Sequence, residues 1–194
     1  PRESAAPATA EPCANKLDAF IAAKLHEQQL PAAAAADPRT LVRRLSLDLT
    51  GLPPTPQQIA AFVNDPSESA WRELVEQLLA APAYGERWAR LWLDVARYAE
   101  DQAHIVGEDA SLTYPNAWHF RDWVIRALNQ DLSYAQFIRL QLAADLYEGS
   151  ESANLAALGF LGLGPKYYDR GQLFVMAEEW EDRVDVVSRG LLGL

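Results

Sequence analysis

The chain has 194 residues, of which 49% are apolar and 23% charged, so it is long enough to bury a substantial core. Its formal net charge of -10 opposes nucleic-acid binding, because an acidic protein repels the phosphate backbone. The single cysteine, Cys13, excludes an internal disulfide and a cysteine-based zinc site. No apolar run reaches the roughly 18 residues of a membrane-spanning helix, so we expect no membrane span.

The N-terminal third begins with an irregular segment and continues as helices. Residues 1–14 are rich in alanine and proline, and we expect a flexible segment there. The stretch "KLDAFIAAKL" predicts a first helix, because its apolar residues recur on one face. "DPRTLVRRLSLDLTG" predicts a second helix between a proline at its start and a glycine at its end. Thr55 and Gln58 predict a capping box at the start of a third helix. "SAWRELVEQLLAAP" predicts a fourth helix that ends at Pro82.

The stretch "YGERWARLWLDVARYAED" carries the strongest helical pattern. Its large apolar side chains recur every three or four residues and predict a buried stripe, which consists of Trp88, Leu91, Trp92, Val95 and Tyr98. A second face carries Arg90, Asp94, Arg97 and Asp101, with charges of alternating sign. This face is either exposed to solvent or part of a buried polar network with Arg121 and Asp122 of the next helix.

"PNAWHFRDWVIRAL" and "SYAQFIRLQLAADLY" predict two further helices, the second with a capping box of Ser133 and Gln136. Strand-like alternation is almost absent. The predicted fold is therefore all-α, an irregular multi-helix bundle over residues 15–194. The predicted loops are residues 51–55, 101–114, 129–132 and 148–172.

Near the C-terminus, "MAEEWEDRVDVVSRGLLGL" combines an apolar helix face with a strip of four carboxylates. The apolar face contains Met176, Trp180, Val184, Val187 and Leu191. The acidic strip consists of Glu178, Glu181, Asp182 and Asp185. Four carboxylates on one side repel one another unless cations face them, and two partners fit: arginines such as Arg90, Arg97 and Arg121, or a divalent metal with Glu178 and Asp182 as oxygen ligands.

Of the three histidines, His26 and His119 lie in predicted helices, and we expect structural roles for both. His104 lies in the loop "HIVGED", four residues after Glu100. A histidine at that position either ligates a metal or haem iron, transfers protons, or is only a solvated loop residue. The chain contains no Ser-His-Asp order, phosphate-binding glycine loop or His-Glu-Xaa-Xaa-His motif.

Several long strings point to a family. "DPRTLVRRLSLDLTGLPPTPQQIAAFV", "YGERWARLWLDVARYAE", "YPNAWHFRDWVIRALNQDLSYAQFIRLQLAADL" and "EEWEDRVDVVSRGLLGL" resemble the domain of unknown function of large secreted planctomycete and verrucomicrobial cytochrome proteins. The resemblance runs from about Asn15 to Leu194. In that family, the part similar to "DVVSRGLLGL" is followed by a c-type haem attachment motif. This chain stops at Leu194, just before that point, and we expect its parent protein to continue.

The resemblance implies haem c in the parent protein only, because this chain lacks the two thiols and adjacent histidine that hold it. It implies export to the periplasm or beyond, and a redox partner or adjacent cytochrome domain. His104 would then be a haem ligand or neighbour, and Glu100 would orient it. These are expectations about His104 and Glu100 that the resemblance itself does not transfer.

Three functions remain open at this stage. The first is a helical domain of an exported c-type cytochrome protein that supports electron transfer, with polysaccharide breakdown as one setting. The second is a catalytic or sugar-binding domain that uses the carboxylates, His104 and a divalent metal. The third is a structural interaction module, in which the carboxylates pair with arginines.

Overall fold

The computed structural model describes residues 15–100, 114–146, 152–164 and 173–193. Contacts between Cα atoms divide the chain into two units, Pro1–Asp37 and Pro38–Leu194. In the first unit, the predicted helix is present as α1 (Lys16–Glu27), and the side chain of Asn15 caps it by accepting the amide of Asp18 at 2.9 Å. The predicted flexible segment, residues 1–14, lies outside the described residues.

The second unit is all-α over the described residues, which confirms the predicted fold class. Its α-helices are α2 (Pro38–Thr50), α3 (Pro56–Asn64), α4 (Glu68–Leu79), α5 (Pro82–Val95), α6 (Ala117–Asn129), α7 (Tyr134–Ala143), α8 (Gly159–Gly162) and α9 (Leu173–Val187). A 3₁₀ helix (Ser152–Leu158) precedes α8, and a π-helix (Ser188–Leu192) follows α9. None of the described helices is long and apolar enough to cross a membrane.

Two apolar clusters hold this unit together. The smaller one joins α2, α3 and α4, and its buried members are Val42, Phe62, Leu74 and Leu78. The larger one joins α5 to α9 around rings from several helices. Trp92 of α5 stacks on Phe160 at 5.7 Å and meets Phe137 edge-on at 5.0 Å, while Trp123 stacks on Phe137 at 5.3 Å. These aromatic contacts join α5, α6, α7 and α8, and Val186 brings α9 into the same cluster.

The local helix signals are mostly confirmed. Thr55 and Gln58 form the predicted capping box, in which each side chain accepts the other's backbone amide. Ser133 accepts the amide of Gln136 at 3.4 Å and so provides one half of the second predicted box. α2, α3 and α5 each begin with proline at the first helical position.

The predicted core face of α5 is only partly correct. Trp88, Leu91 and Val95 are 40%, 49% and 39% exposed. The inward face consists of Gly85, Ala89 and Ala96 together with Trp92 and Leu93. The small residues let α6 approach closely: a Cβ at Gly85 would lie 2.6 Å from the carbonyl oxygen of Ile125, and the Gly85 amide donates to Asn129 at 2.9 Å. Close helix contact therefore selects the small side chains over the large ones.

Two predicted boundaries are also wrong. α5 ends at Val95 and does not continue to Asp101, because the chain turns into the left-handed region at Arg97, where φ is +55°. The predicted loop 148–172 contains the 3₁₀ helix and α8, which pack Ala157 and Phe160 into the larger cluster. At the C-terminal end, Gly193 terminates the π-helix with φ at +67°.

Candidate functional site

The carboxylate of Glu100 lies just beyond α5 and is held by two side chains. Its Oε1 accepts the Tyr98 hydroxyl at 2.9 Å and Nη1 of Arg121 at 2.8 Å. Nε of Arg121 donates to Asp122 at 3.1 Å, and this bond is the main reason that the Arg121 pKa is raised. Arg121 of α6 therefore binds two carboxylates. One is Glu100, just beyond the end of α5, and the other is its neighbour Asp122 on α6.

Tyr98 in this cluster is a weaker acid than a free tyrosine. Burial, followed by its hydrogen bond and proximity to the Glu100 carboxylate, raises the pKa of Tyr98 to about 12. The phenol is thus a neutral hydrogen-bond donor at physiological pH. Its ring also lies 6.4 Å from that of Phe120, which ties the polar cluster to the apolar one.

A backbone hydrogen bond joins Glu100 to the start of α6. The amide of Tyr114 donates to the carbonyl of Glu100 at 2.8 Å, so the two described residues that flank segment 101–113 lie close together. His104, the predicted haem or metal ligand, belongs to this segment and lies outside the described residues. The Glu100 side chain is bonded to Arg121 and Tyr98, and its predicted role in orienting His104 stays a prediction.

A second charged cluster joins α5 to α9. Nη1 of Arg97 pairs with Oδ2 of Asp182, and both side chains are mostly buried. Gly164 lies directly against the pair, since a Cβ there would be 2.7 Å from Nη1 of Arg97 and 2.9 Å from Oδ2 of Asp182. Burial lowers the pKa of Arg97, while the nearby carboxylate of Asp185 acts in the opposite direction.

The backbone of Arg97 explains how its side chain reaches α9. The amide of Arg97 donates to the carbonyl of Asp94 at 3.1 Å, and that of Tyr98 to the carbonyl of Leu93 at 2.9 Å. These two bonds form a Schellman motif, in which the left-handed position is usually glycine. An arginine at this position accepts some backbone strain and places its guanidinium against Asp182.

Arg90 and Asp94, the remaining members of the predicted network, are exposed on α5. The structure places neither in an ion pair with another described residue. Among the described residues, the five predicted members therefore belong to different environments. Arg97 pairs with Asp182 of α9, Arg121 pairs with both Glu100 and Asp122, and the other two face solvent.

The acidic strip of α9 lines a groove of about 580 Å³, which contains Glu178, Glu181, Asp182, Val184, Asp185 and Ser188. Arginines neutralise part of the strip. Asp182 pairs with Arg97, and Asp185 accepts Nε of Arg189 at 2.7 Å. In the described part of the chain, no three histidine, cysteine or carboxylate side chains are grouped to hold a metal ion. Metal binding by Glu178 and Asp182 stays a prediction.

A larger cleft of about 770 Å³ lies between the start of α6 and the 3₁₀ helix. Tyr114, His119 and Ser152 contribute polar groups, and Phe120 and Leu155 contribute apolar surface. The Tyr114 hydroxyl donates to the carbonyl of Gly164 at 3.2 Å, which links this cleft to the Arg97 pair. His119 is exposed at the cleft rim beside the Trp118 ring, and its predicted structural role stays a prediction.

Residues 16–194 match the family model PSCyt2, described as a protein of unknown function (DUF1549). The chain belongs to the PSCyt2 family. The match spans nearly the whole chain, so it includes every helix described above. No curated protein and no solved structure gives a significant match.

The sequence pattern of this PSCyt2 domain did not predict the roles of two residues at the site. Glu179 is only 6% exposed and faces inward, where its carboxylate lies 3.6 Å from Nη2 of Arg183. Its spacing of four from Arg183 is a recognisable helical ion pair, but that spacing is equally common on exposed surfaces. Gly164 had no sequence signal, because its role depends on a contact with Arg97 and Asp182 across the fold.

Proposed function

We propose that this PSCyt2 domain is the helical domain of an exported c-type cytochrome protein and supports electron transfer in a periplasmic or extracellular oxidoreductase system. The proposal rests on the close contact of the C-terminal helices with the end of α5. Asp182 of α9 pairs with Arg97, and Gly190 packs so tightly on α5 that a Cβ there would lie 2.8 Å from Cγ1 of Val95. In the sequences that this chain resembles, the haem attachment motif follows the segment that is anchored in this way.

Covalent haem attachment needs two cysteine thiols and a neighbouring histidine, and Cys13 is the only cysteine here. The residues of this chain therefore do not fit a haem c of their own, and we assign no electron-transfer step to them. Their contribution in the proposal is mechanical: α5 and α9 hold the following segment in a fixed position, and Tyr98 and Arg121 hold Glu100, which directly precedes the segment that contains His104.

The test is to produce the protein with its natural C-terminal extension in a host that attaches haem c, and to record its visible and pyridine haemochrome spectra. We expect a c-type spectrum from the extended protein and none from residues 1–194. The variant His104→Ala should shift the spectrum if His104 contacts the iron, while the matched variant His26→Ala on α1 should leave it unchanged. An extended protein without haem would contradict the proposal.

A second function, that of a structural interaction module, is favoured by the arginine pairs of α9. Asp182 is bonded to Arg97, which is the pairing expected if the strip serves packing and not catalysis, while Asp185 is bonded to Arg189 of the π-helix that follows α9. The same spectra separate the two functions. A domain that carries no haem in the extended protein but remains folded and binds partners would be an interaction module.

A further inference from the structure

Helix α9 turns its apolar side chains towards solvent. Leu173, Met176, Trp180 and Val184 are 74%, 38%, 52% and 67% exposed, and their spacing of three, four and four places them on one side of the helix. We call these four residues the apolar stripe. Met176, Trp180 and Val184 belong to the apolar face that the sequence pattern indicates, whereas the other two residues of that face, Val187 and Leu191, pack against the larger cluster.

The inward side of α9 explains why these four side chains face solvent. Glu179 and Val186 are only 6% and 2% exposed, and Asp182 is paired with Arg97. Nε of Arg183 also donates to the carbonyl of Leu161 at 3.4 Å. Turning the apolar stripe inward would break these polar contacts and leave Arg97 without its carboxylate, which is costly. The stripe is therefore held outward, and exposed apolar surface of this extent is typical of an interaction site.

The acidic strip runs along one border of the apolar stripe. On a helix of 3.6 residues per turn, Glu181 and Asp185 follow Val184 around the circumference, and Val184 lines the acidic groove together with them. Glu178 and Glu181 are exposed, and the structure gives neither an ion pair with a described residue. The surface thus combines a central apolar ridge with negative charge on one flank.

We propose that this surface of α9 binds a partner protein through an amphipathic helix whose apolar face is flanked by lysine or arginine. Charge complementarity selects this occupant. A second copy of the chain would bring two acidic strips and two net charges of -10 together, and an anionic membrane would also be repelled. The proposal goes beyond the function proposed above, because it requires no haem and concerns residues 173–185 alone.

The test measures binding of a labelled synthetic helical peptide that has leucines on one face and lysines beside them, with a lysine-to-glutamate version as the peptide control. Two variant pairs are matched. Trp180→Ala is compared with Trp118→Ala, an exposed tryptophan of α6. The double variant Glu178→Lys/Glu181→Lys is compared with Glu73→Lys/Glu76→Lys, an equal charge change on exposed residues of α4. Circular dichroism checks that each variant is folded.

We expect binding of the lysine peptide only, with affinity that falls as salt is raised. Trp180→Ala should weaken binding about tenfold or more, as is usual for a central interface tryptophan, and Trp118→Ala should have little effect. Reversal of the two charges on α9 should weaken binding more than the matched reversal on α4. Equal losses from the matched variants would overturn the proposal, because they would indicate non-specific attraction to an acidic protein. So would a chain dimer, detected by sedimentation, that Trp180→Ala dissociates.

Discussion

At the scale of single residues, the Tyr98 hydroxyl shows how a neighbouring carboxylate changes ionisation. Its pKa of about 12 lies above that of a free tyrosine, near 10, because burial and Glu100 disfavour the phenolate. Between these values the unfolded chain releases the proton while the folded chain retains it. We therefore expect the contribution of Tyr98 to stability to be complete below about pH 10 and to fall as pH rises towards 12.

Carbon NMR of Cζ-labelled tyrosine measures this titration directly, and Tyr98→Phe identifies the signal. Glu100→Gln should bring the Tyr98 pKa part of the way back towards 10, since burial is the larger cause and remains. A Tyr98 signal that titrates at about pH 10 in the wild-type protein, as a free tyrosine does, would contradict the bond to Glu100.

Trp92 combines packing with a buried hydrogen bond. Its Nε1 donates to Oε1 of Gln141 at 2.6 Å, and its ring contacts Phe137 and Phe160. We expect Trp92→Ala to lower the free energy of unfolding by about 3–5 kcal/mol, measured by urea denaturation. Trp92→Phe should cost about 1–3 kcal/mol, because it keeps a ring but leaves the buried Gln141 oxygen without this donor. A loss below about 1 kcal/mol for Trp92→Ala would refute its placement in the larger cluster.

At the scale of secondary-structure elements, Gly85 sets the contact between α5 and α6. Helix propensity alone favours alanine by about 1 kcal/mol, but a Cβ would lie 2.6 Å from both the Asn129 side chain and the Ile125 carbonyl. We therefore expect Gly85→Ala to destabilise the protein by about 1–3 kcal/mol in thermal or urea unfolding. Gly162→Ala is the matched control, since its Cβ position has no neighbour within 4 Å apart from the adjacent residues and backbone of its own helix. A neutral Gly85→Ala would show that the two helices are not in close contact.

The Arg97–Asp182 pair connects α5 to α9, and three variants separate its charge from its backbone. Asp182→Asn should cost about 3 kcal/mol in urea unfolding, because it leaves a largely buried guanidinium unpaired. Arg97→Gly and Arg97→Ala both remove the pair, but glycine adopts the left-handed φ of +55° freely. The glycine variant should therefore be about 1 kcal/mol more stable than the alanine variant. Equal stabilities would indicate that residue 97 carries no backbone strain.

At the scale of the whole molecule, both apolar clusters consist of residues after Pro38. We expect a chain that starts at Pro38 to fold without residues 1–37 and to unfold in one cooperative transition with nearly the same Tm as the full chain. Circular dichroism and calorimetry test this. A shortened chain without a cooperative transition would show that α1 contributes to the stability of the larger unit.

The sequence determined the helical class and most helix starts, because these depend on neighbouring residues. A proline at the first position of α2 or α5 is local, and so is the Thr55–Gln58 capping box. The family resemblance was also contained in the sequence, and the family model matches residues 16–194. The acidic strip of α9 could be recognised as well, since its spacing needs no tertiary information.

Only the tertiary structure decided which way α5 and α9 face. Periodicity finds the most apolar side of a helix, but the buried side is set by what the neighbouring element can accept. At α5 a close approach of α6 requires Gly85, and at α9 the buried partner is the charge of Arg97. Both contacts join residues far apart in the chain, and Arg97 itself occupies a helix end where sequence rules expect glycine. The exposed ridge of Trp180 and Val184 follows from these long-range contacts, and no local pattern could reveal it.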